Sequence, residues 1–237
     1  MALRRTRLFG AALIIGTLAL VAGCADIGAN PEATGDAGVQ VDVNATWLDD
    51  GRMIGMWTSG SSSCTPAVSD VALNDAGILE VNLEDADETQ PCTADMASQV
   101  TLFDVPEGVD TSSDATLEVR GTDFFGTAEV AGVPGLAGPG TETDYAPSAG
   151  WVATYNNFII LTWGSSTCAP TVEKSAITGS FEVTVTFADP PADQMCTMDM
   201  APRGTSAFAG GMKSGDAEVV LTGDSFDGIR VPILGSN

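Results

Sequence analysis

The chain has no histidine, and among its 237 residues only nine are lysine or arginine. Without histidine it lacks the commonest general base, the commonest metal ligand and the side chain that titrates near neutral pH. Ser-His-Asp and Cys-His catalysis are excluded with it. The scarcity of cations leaves 32 acidic side chains nearly unopposed. Every acid follows Cys24, while Arg4, Arg5 and Arg7 precede it, so the chain from Cys24 onward carries six basic and 32 acidic residues, a formal net charge of −26. Such a chain is repelled by nucleic acid and by anionic head groups, and nucleic-acid binding is excluded. The ordinary reading of the acidity is solubility or salt tolerance; the alternative is binding of cations or of a basic partner. Two further absences matter. Nothing after Cys24 approaches the run of about 20 apolar residues needed to span a bilayer, and no window of ten residues shows a helical period.

What is present starts with "MALRRTRLFGAALIIGTLALVAGC". Three arginines form a positive opening, and Leu8 to Ala22 is an apolar stretch too short for a comfortable span, ending in small residues as a secretory signal does. Val21-Ala22-Gly23-Cys24 resembles the lipobox of bacterial lipoproteins, with Val21 where that family usually has leucine. The resemblance implies removal of residues 1–23 and a diacylglyceryl thioether on Cys24, with palmitate-type acyl chains. Two acyl chains hold a membrane stably where one does not. A twin-arginine signal fits less well, because Arg7-Leu8 stands where Phe-Leu is expected. Residues 24–40, rich in Ala, Gly and Pro, read as a lipidated flexible tether spanning roughly 20–25 Å r.m.s..

Beyond the tether the chain repeats itself. "SGSSSCTPAV" (59–68) returns as "WGSSTCAPTV" (163–172), and "CTADMA" (92–97) as "CTMDMA" (196–201). The offset is 104 residues without a gap from 47 to 97, with 17 of those 51 positions identical; after a two-residue deletion 114–126 matches 216–228. A period of a whole module marks a tandem duplication, not a short-repeat array. The expected organisation is a β-module at 41–130, a Gly/Pro linker at 131–149 and a second β-module at 150–237, each folding independently.

The local signals are those of strands. Phe181, Val183, Val185 and Phe187 alternate with polar residues, as do Leu79, Val81 and Leu83; "NFIILTW" (157–163) is a continuous apolar run. Further strands are expected at 41–47, 52–57, 67–74, 99–105, 115–120, 150–155, 171–178, 204–209, 217–222 and 228–234. Six or seven short strands per copy predict an all-β fold of two small antiparallel sandwiches, Ig-like or similar, or barrels. Four cysteines remain after Cys24, and duplication selects pairing within each copy: Cys64–Cys92 and Cys168–Cys196. Each closes a loop of about 29 residues, worth roughly 3.5 kcal/mol in the chain-entropy model. The recurring "CTADMA" and "CTMDMA" are read as placing half a disulfide, and a methionine, against the core.

Other motifs are weak. The serines of "GSSSC" and "GSSTC" lack a base, and neither Lys174 nor Lys213 recurs in the first copy. Glu84, Asp85, Asp87 and Glu88 would suit Ca²⁺ by chemistry, but their spacing is not that of an EF-hand and the second copy has lost most of the charge, so a solvated loop is favoured. Asp95 and Asp199 recur, as do Asp85 and Asp189; turn capping is their ordinary role. Trp47 and Trp151 coincide in the repeat and are expected in the core. Trp57 and Trp163 do not coincide, precede the Gly-Ser loops, and are the candidates for a binding surface. No catalytic residue, metal or cofactor is expected.

The "GSSSC…CTADMA" pattern is similar to segments of uncharacterised secreted lipoproteins from high-GC Gram-positive bacteria. The likeness covers both modules and brings no known activity with it. The lipobox resemblance implies anchoring on the extracytoplasmic face of the cell membrane through Cys24, and the expected partners are the lipid bilayer and an unknown protein or glycan. The expected function is non-enzymatic binding; the alternative is an accessory, inhibitor or sensor subunit of an envelope enzyme.

Overall fold

A computed structural model describes residues 38–84, 91–152, 156–212 and 216–236. Cys24 and residues 85–90 of the acidic loop lie outside them. Among the described residues the protein is all-β, with a tight turn at Asp49–Gly51 whose three residues all have positive φ, and no α-helix. The first copy contains β1 (Val39–Gln40), β2 (Asn44–Leu48), β3 (Met53–Gly60), β4 (Ala67–Leu73), β5 (Ile78–Glu84), β6 (Ala97–Asp104), β7 (Ala115–Arg120) and β8 (Phe124–Val130). The second contains β9 (Ser148–Trp151), β10 (Asn157–Gly164), β11 (Val172–Gly179), β12 (Glu182–Phe187), β13 (Ala201–Phe208), β14 (Glu218–Gly223) and β15 (Phe226–Leu234).

In the first copy an inner sheet, β2-β3-β6, faces an outer sheet, β1-β8-β7-β5-β4. The second copy repeats the plan with β9-β10-β13 and β11-β12-β14-β15, fused into one seven-stranded sheet because Ile233 and Leu234 at the end of β15 pair in parallel with Ala149 and Gly150 of β9.

The Ig-like sandwich expected from strand number does not form. After β5 the chain leaves the outer sheet, joins the edge of the inner one as β6, paired with β3, and returns as β7 parallel to β5. β12, β13 and β14 do the same, with β12 and β14 parallel. A parallel return through another strand is one turn of a coil, not a hairpin. The result is a solenoid-like stack of sheets.

Three apolar clusters fill the stack. The first lies within copy one, around Trp47, Ile54, Met56, Val81 and Leu117. The second lies within copy two, around Trp151, Phe158, Ile160, Val185 and Leu221. The third belongs to both: Leu48 and Met53 pack with Val152, Ile159 and Leu161, flanked by Trp57, Val100, Leu102 and Trp163. This explains "NFIILTW". Phe158 and Ile160 face their own copy, while Ile159 and Leu161 face the other, so the strand is apolar on both sides. Each such side chain, removed from water, contributes roughly 1.5–3 kcal/mol.

The shared layer has a further regularity. A Cβ on Gly55 would sit 3.1 Å from Ile159, one on Gly150 would sit 2.1 Å from Thr46, and one on Gly204 would sit 2.5 Å from Val100. In each pair the partners stand 104 positions apart, so each is the repeat counterpart of the other. Contact between counterparts marks an isologous interface, and the glycines let the sheets approach closely.

Residues 131–149, expected as a free linker, are fastened along the first copy. Ala131 accepts from the Trp47 indole at 2.9 Å, Val133 N–H donates to Thr111 at 2.7 Å, and Gly138 N–H donates to Asp50 at 3.0 Å. Val133 and Leu136 pack on the first cluster. The Asp49 carboxylate is buried and satisfied by Arg52 at 2.9 and 3.0 Å and by the Thr143 hydroxyl at 2.9 Å. A buried charge is tolerated when so fully paired. The described residues accordingly form one compact unit.

Candidate functional site

Both disulfides form within a copy, Cys64–Cys92 and Cys168–Cys196, each with a sequence separation of 28. Each ties the turn that follows an inner strand, β3 or β10, to the segment that leads into its neighbour, β6 or β13. The turn closes where Cys64 N–H reaches the Ser61 carbonyl at 3.2 Å, and Cys168 N–H reaches Ser165 at 3.3 Å.

Around each bridge the same polar network recurs. In copy one the Ser61 and Thr93 hydroxyls lie 2.8 Å apart, Thr93 N–H donates to the Ser63 hydroxyl at 3.0 Å, and Ser62 N–H donates to Asp95 at 3.1 Å. In copy two Ser165 and Thr197 lie 2.8 Å apart, Thr197 N–H donates to Thr167 at 3.1 Å, and Ser166 N–H donates to Asp199 at 3.1 Å. The Thr93 and Thr197 hydroxyls also donate to Asp95 and Asp199. This gives "CTADMA" and "CTMDMA" their meaning. The cysteine fixes one strand of the loop, and the threonine and aspartate bind the opposite turn. The methionines do not face the core: Met96 is 79% exposed and Met200 60%.

Asp95 and Asp199 are held at about 2, below the ordinary 3.8, chiefly because the threonine hydroxyl donates to each, with the hydroxyl and amide of Ser62 or Ser166 adding to the effect. A depressed carboxyl contributes order that is full above its ordinary value and is lost as pH falls through the depressed one. The amide signals of Ser62, Thr93, Ser166 and Thr197 should therefore hold steady from neutrality to about pH 4 and shift together with a midpoint near pH 2. Midpoints at the ordinary carboxylate value in a proton-NMR titration would show that the two carboxylates stand free.

Beside each bridge lies a cavity, and the two are counterparts. The first, about 200 Å³, is lined by Ser61, Cys64, Pro66 and Gln99 with Val41, Leu83 and Phe124. The second, about 380 Å³, is lined by the corresponding Ser165, Cys168, Pro170 and Arg203, together with Asp189, Asp224 and Ser225. Gln99 donates to the Cys64 carbonyl at 3.0 Å, and Arg203 donates to Cys168 at 2.9 Å and Trp163 at 3.0 Å. The two side chains thus brace the same loop, yet one is neutral and the other charged. Arg203 was not among the sequence-derived site residues. Its signal was a break in the repeat at one of only six cations after Cys24.

Trp57 and Trp163 are half-buried against the shared cluster, and their indole N–H groups are buried without a hydrogen-bond partner among the described residues. Tyr145 meets Trp163 edge-on at 5.1 Å. They form no flat exposed platform. Trp47 and Trp151 are core residues, as their coincidence in the repeat implies. Among the described residues no three Cys, Asp or Glu side chains are grouped to hold a metal, and no helix is long and apolar enough to cross a membrane. Comparison with protein-family models, with curated proteins and with solved structures finds no match to this chain.

Proposed function

We propose that this is a lipid-anchored protein of the extracytoplasmic membrane face, and that it binds a ligand or partner without catalysing a reaction. The observation that carries the reading is Cys24 at the end of a short apolar stretch in a lipobox-like setting. Two disulfides suit an oxidising compartment. The duplicated, disulfide-braced cavities supply a surface for binding, and they replace Trp57 and Trp163 as the place to look for it. A second reading, as an accessory, inhibitor or sensor subunit of an envelope enzyme, draws on Met195, Met198 and Met200. All three are exposed on the loop of the second bridge, and methionine adapts readily to protein surfaces.

The anchor is tested by phase partition. The mature protein should enter the detergent phase, and Cys24→Ser, which removes the sulfur that would carry the thioether, should move it to the aqueous phase. A Cys24→Ser variant that stays with the membrane after losing residues 1–23 would overturn the reading.

A further inference from the structure

The cavity of the second copy differs from its counterpart in charge as well as in size. Copy one offers Gln99 among uncharged neighbours, apolar and hydroxyl-bearing. Copy two offers Arg203, Asp189 and Asp224 in a cavity of about 380 Å³, within the range of small-molecule sites. Of the five N–H groups of Arg203, two are used on the Cys168 and Trp163 carbonyls, and the Nε–H is buried without a partner among the described residues. None of the described ion pairs includes Arg203, although it interacts electrostatically with Asp224. The site therefore presents one cation held by two loop carbonyls, beside an exposed Asp189 and a half-buried Asp224, with no ion pair between them among the described residues.

Those charges select a ligand class. A lone anion would meet Asp189, Asp224 and the negative field of the whole chain. A lone cation would meet Arg203. A small molecule bearing both charges satisfies each group, since guanidinium is shaped for a carboxylate and carboxylates accept from an ammonium. Ala169, Pro170 and Pro191 leave room for a short apolar side chain. We propose that this cavity binds a small zwitterion of the α-amino-acid type, with its carboxylate on Arg203 and its ammonium on Asp189 and Asp224. The proposal rests on the binding reading above and names its ligand.

The test is isothermal titration calorimetry of the full lipidated chain in detergent micelles, with L-alanine as the probe and acetate and methylammonium as its single-charge halves. L-Alanine should bind saturably, and each half should bind at least about tenfold more weakly. Arg203→Gln restores the residue of the first copy, which already makes the same brace to the loop, so the fold is kept. It should weaken L-alanine by about ten- to hundredfold, as expected for losing a charged hydrogen bond. Asp224→Asn, which suits the left-handed backbone there (φ 49°), should weaken it similarly. Absence of saturable heat, acetate binding as tightly as L-alanine, or unchanged affinity in both variants would overturn the proposal. If detergent partition persists in that case, the anchored-binding reading survives the loss of this ligand; loss of partition bears on the anchor alone.

Discussion

Ile159→Ala should lower one melting transition shared by both copies. Ile159 is fully buried in the cluster that joins them and lies against Gly55 of the first copy. Truncating such a side chain costs about 2–5 kcal/mol, which in a unit of this size displaces the midpoint by about 5–15 °C. Amide signals from β5 and β7 in the first copy and β12 and β14 in the second should melt together in the native protein, and together again, earlier, in the variant. If the first copy kept its native midpoint while the second fell, the shared cluster would not couple them, and the two would behave as separate domains.

The second large effect belongs to the bridge of the second copy. Cys168→Ala with Cys196→Ala should destabilise by about 3.5 kcal/mol in the chain-entropy model, within the usual range of about 2–5. A free linker would confine that loss to the second copy. The packed layer between β3 and β10 should spread it to both, so a denaturant melt followed in each copy should show one earlier midpoint with an unchanged slope. Amides at Ser166 and Thr197 should also lose protection below that transition, because the Asp199 network depends on the bridge for its register. Two separated midpoints would sink the prediction.

Where a strand buries one clean face, it was legible in the sequence. β5 and β12 stand where Leu79, Val81 and Leu83, and Val183, Val185 and Phe187, alternate; only Phe181 strays, half-exposed just before β12. β8 escaped notice because its inward residues are Gly126, Ala128 and Val130, two of them too small to mark a face. Gly126 has to be small, since a Cβ there would lie 2.4 Å from Val43 and 2.8 Å from the Val41 carbonyl. β1, with two residues, carries no pattern at all. The disulfides followed from duplication plus export, and the structure has both. The sheet connections did not follow, because alternation reports which residues are buried but not whether the next strand returns parallel or antiparallel. Likewise the two-sided burial of "NFIILTW" announces a second neighbour without saying that the neighbour is the other copy. The charged cavity was hidden for a different reason: Arg203, Asp189 and Asp224 meet only once the crossing strands are in place.

The counterpart contacts Thr46–Gly150, Gly55–Ile159 and Val100–Gly204 are those that two identical subunits would make across a two-fold axis. On one polypeptide that association is intramolecular. The strap at 131–149 holds the partner faces at an effective concentration of the millimolar order typical of short tethers, so dilution, which dissociates ordinary dimers, leaves this one closed. Covalent union also removes the requirement that both halves stay alike. A true homodimer would carry any change at the Gln99 position twice, whereas here a neutral side chain braces one loop and a guanidinium the other. Symmetric packing with asymmetric pockets is what a fused pair can have and a free one cannot.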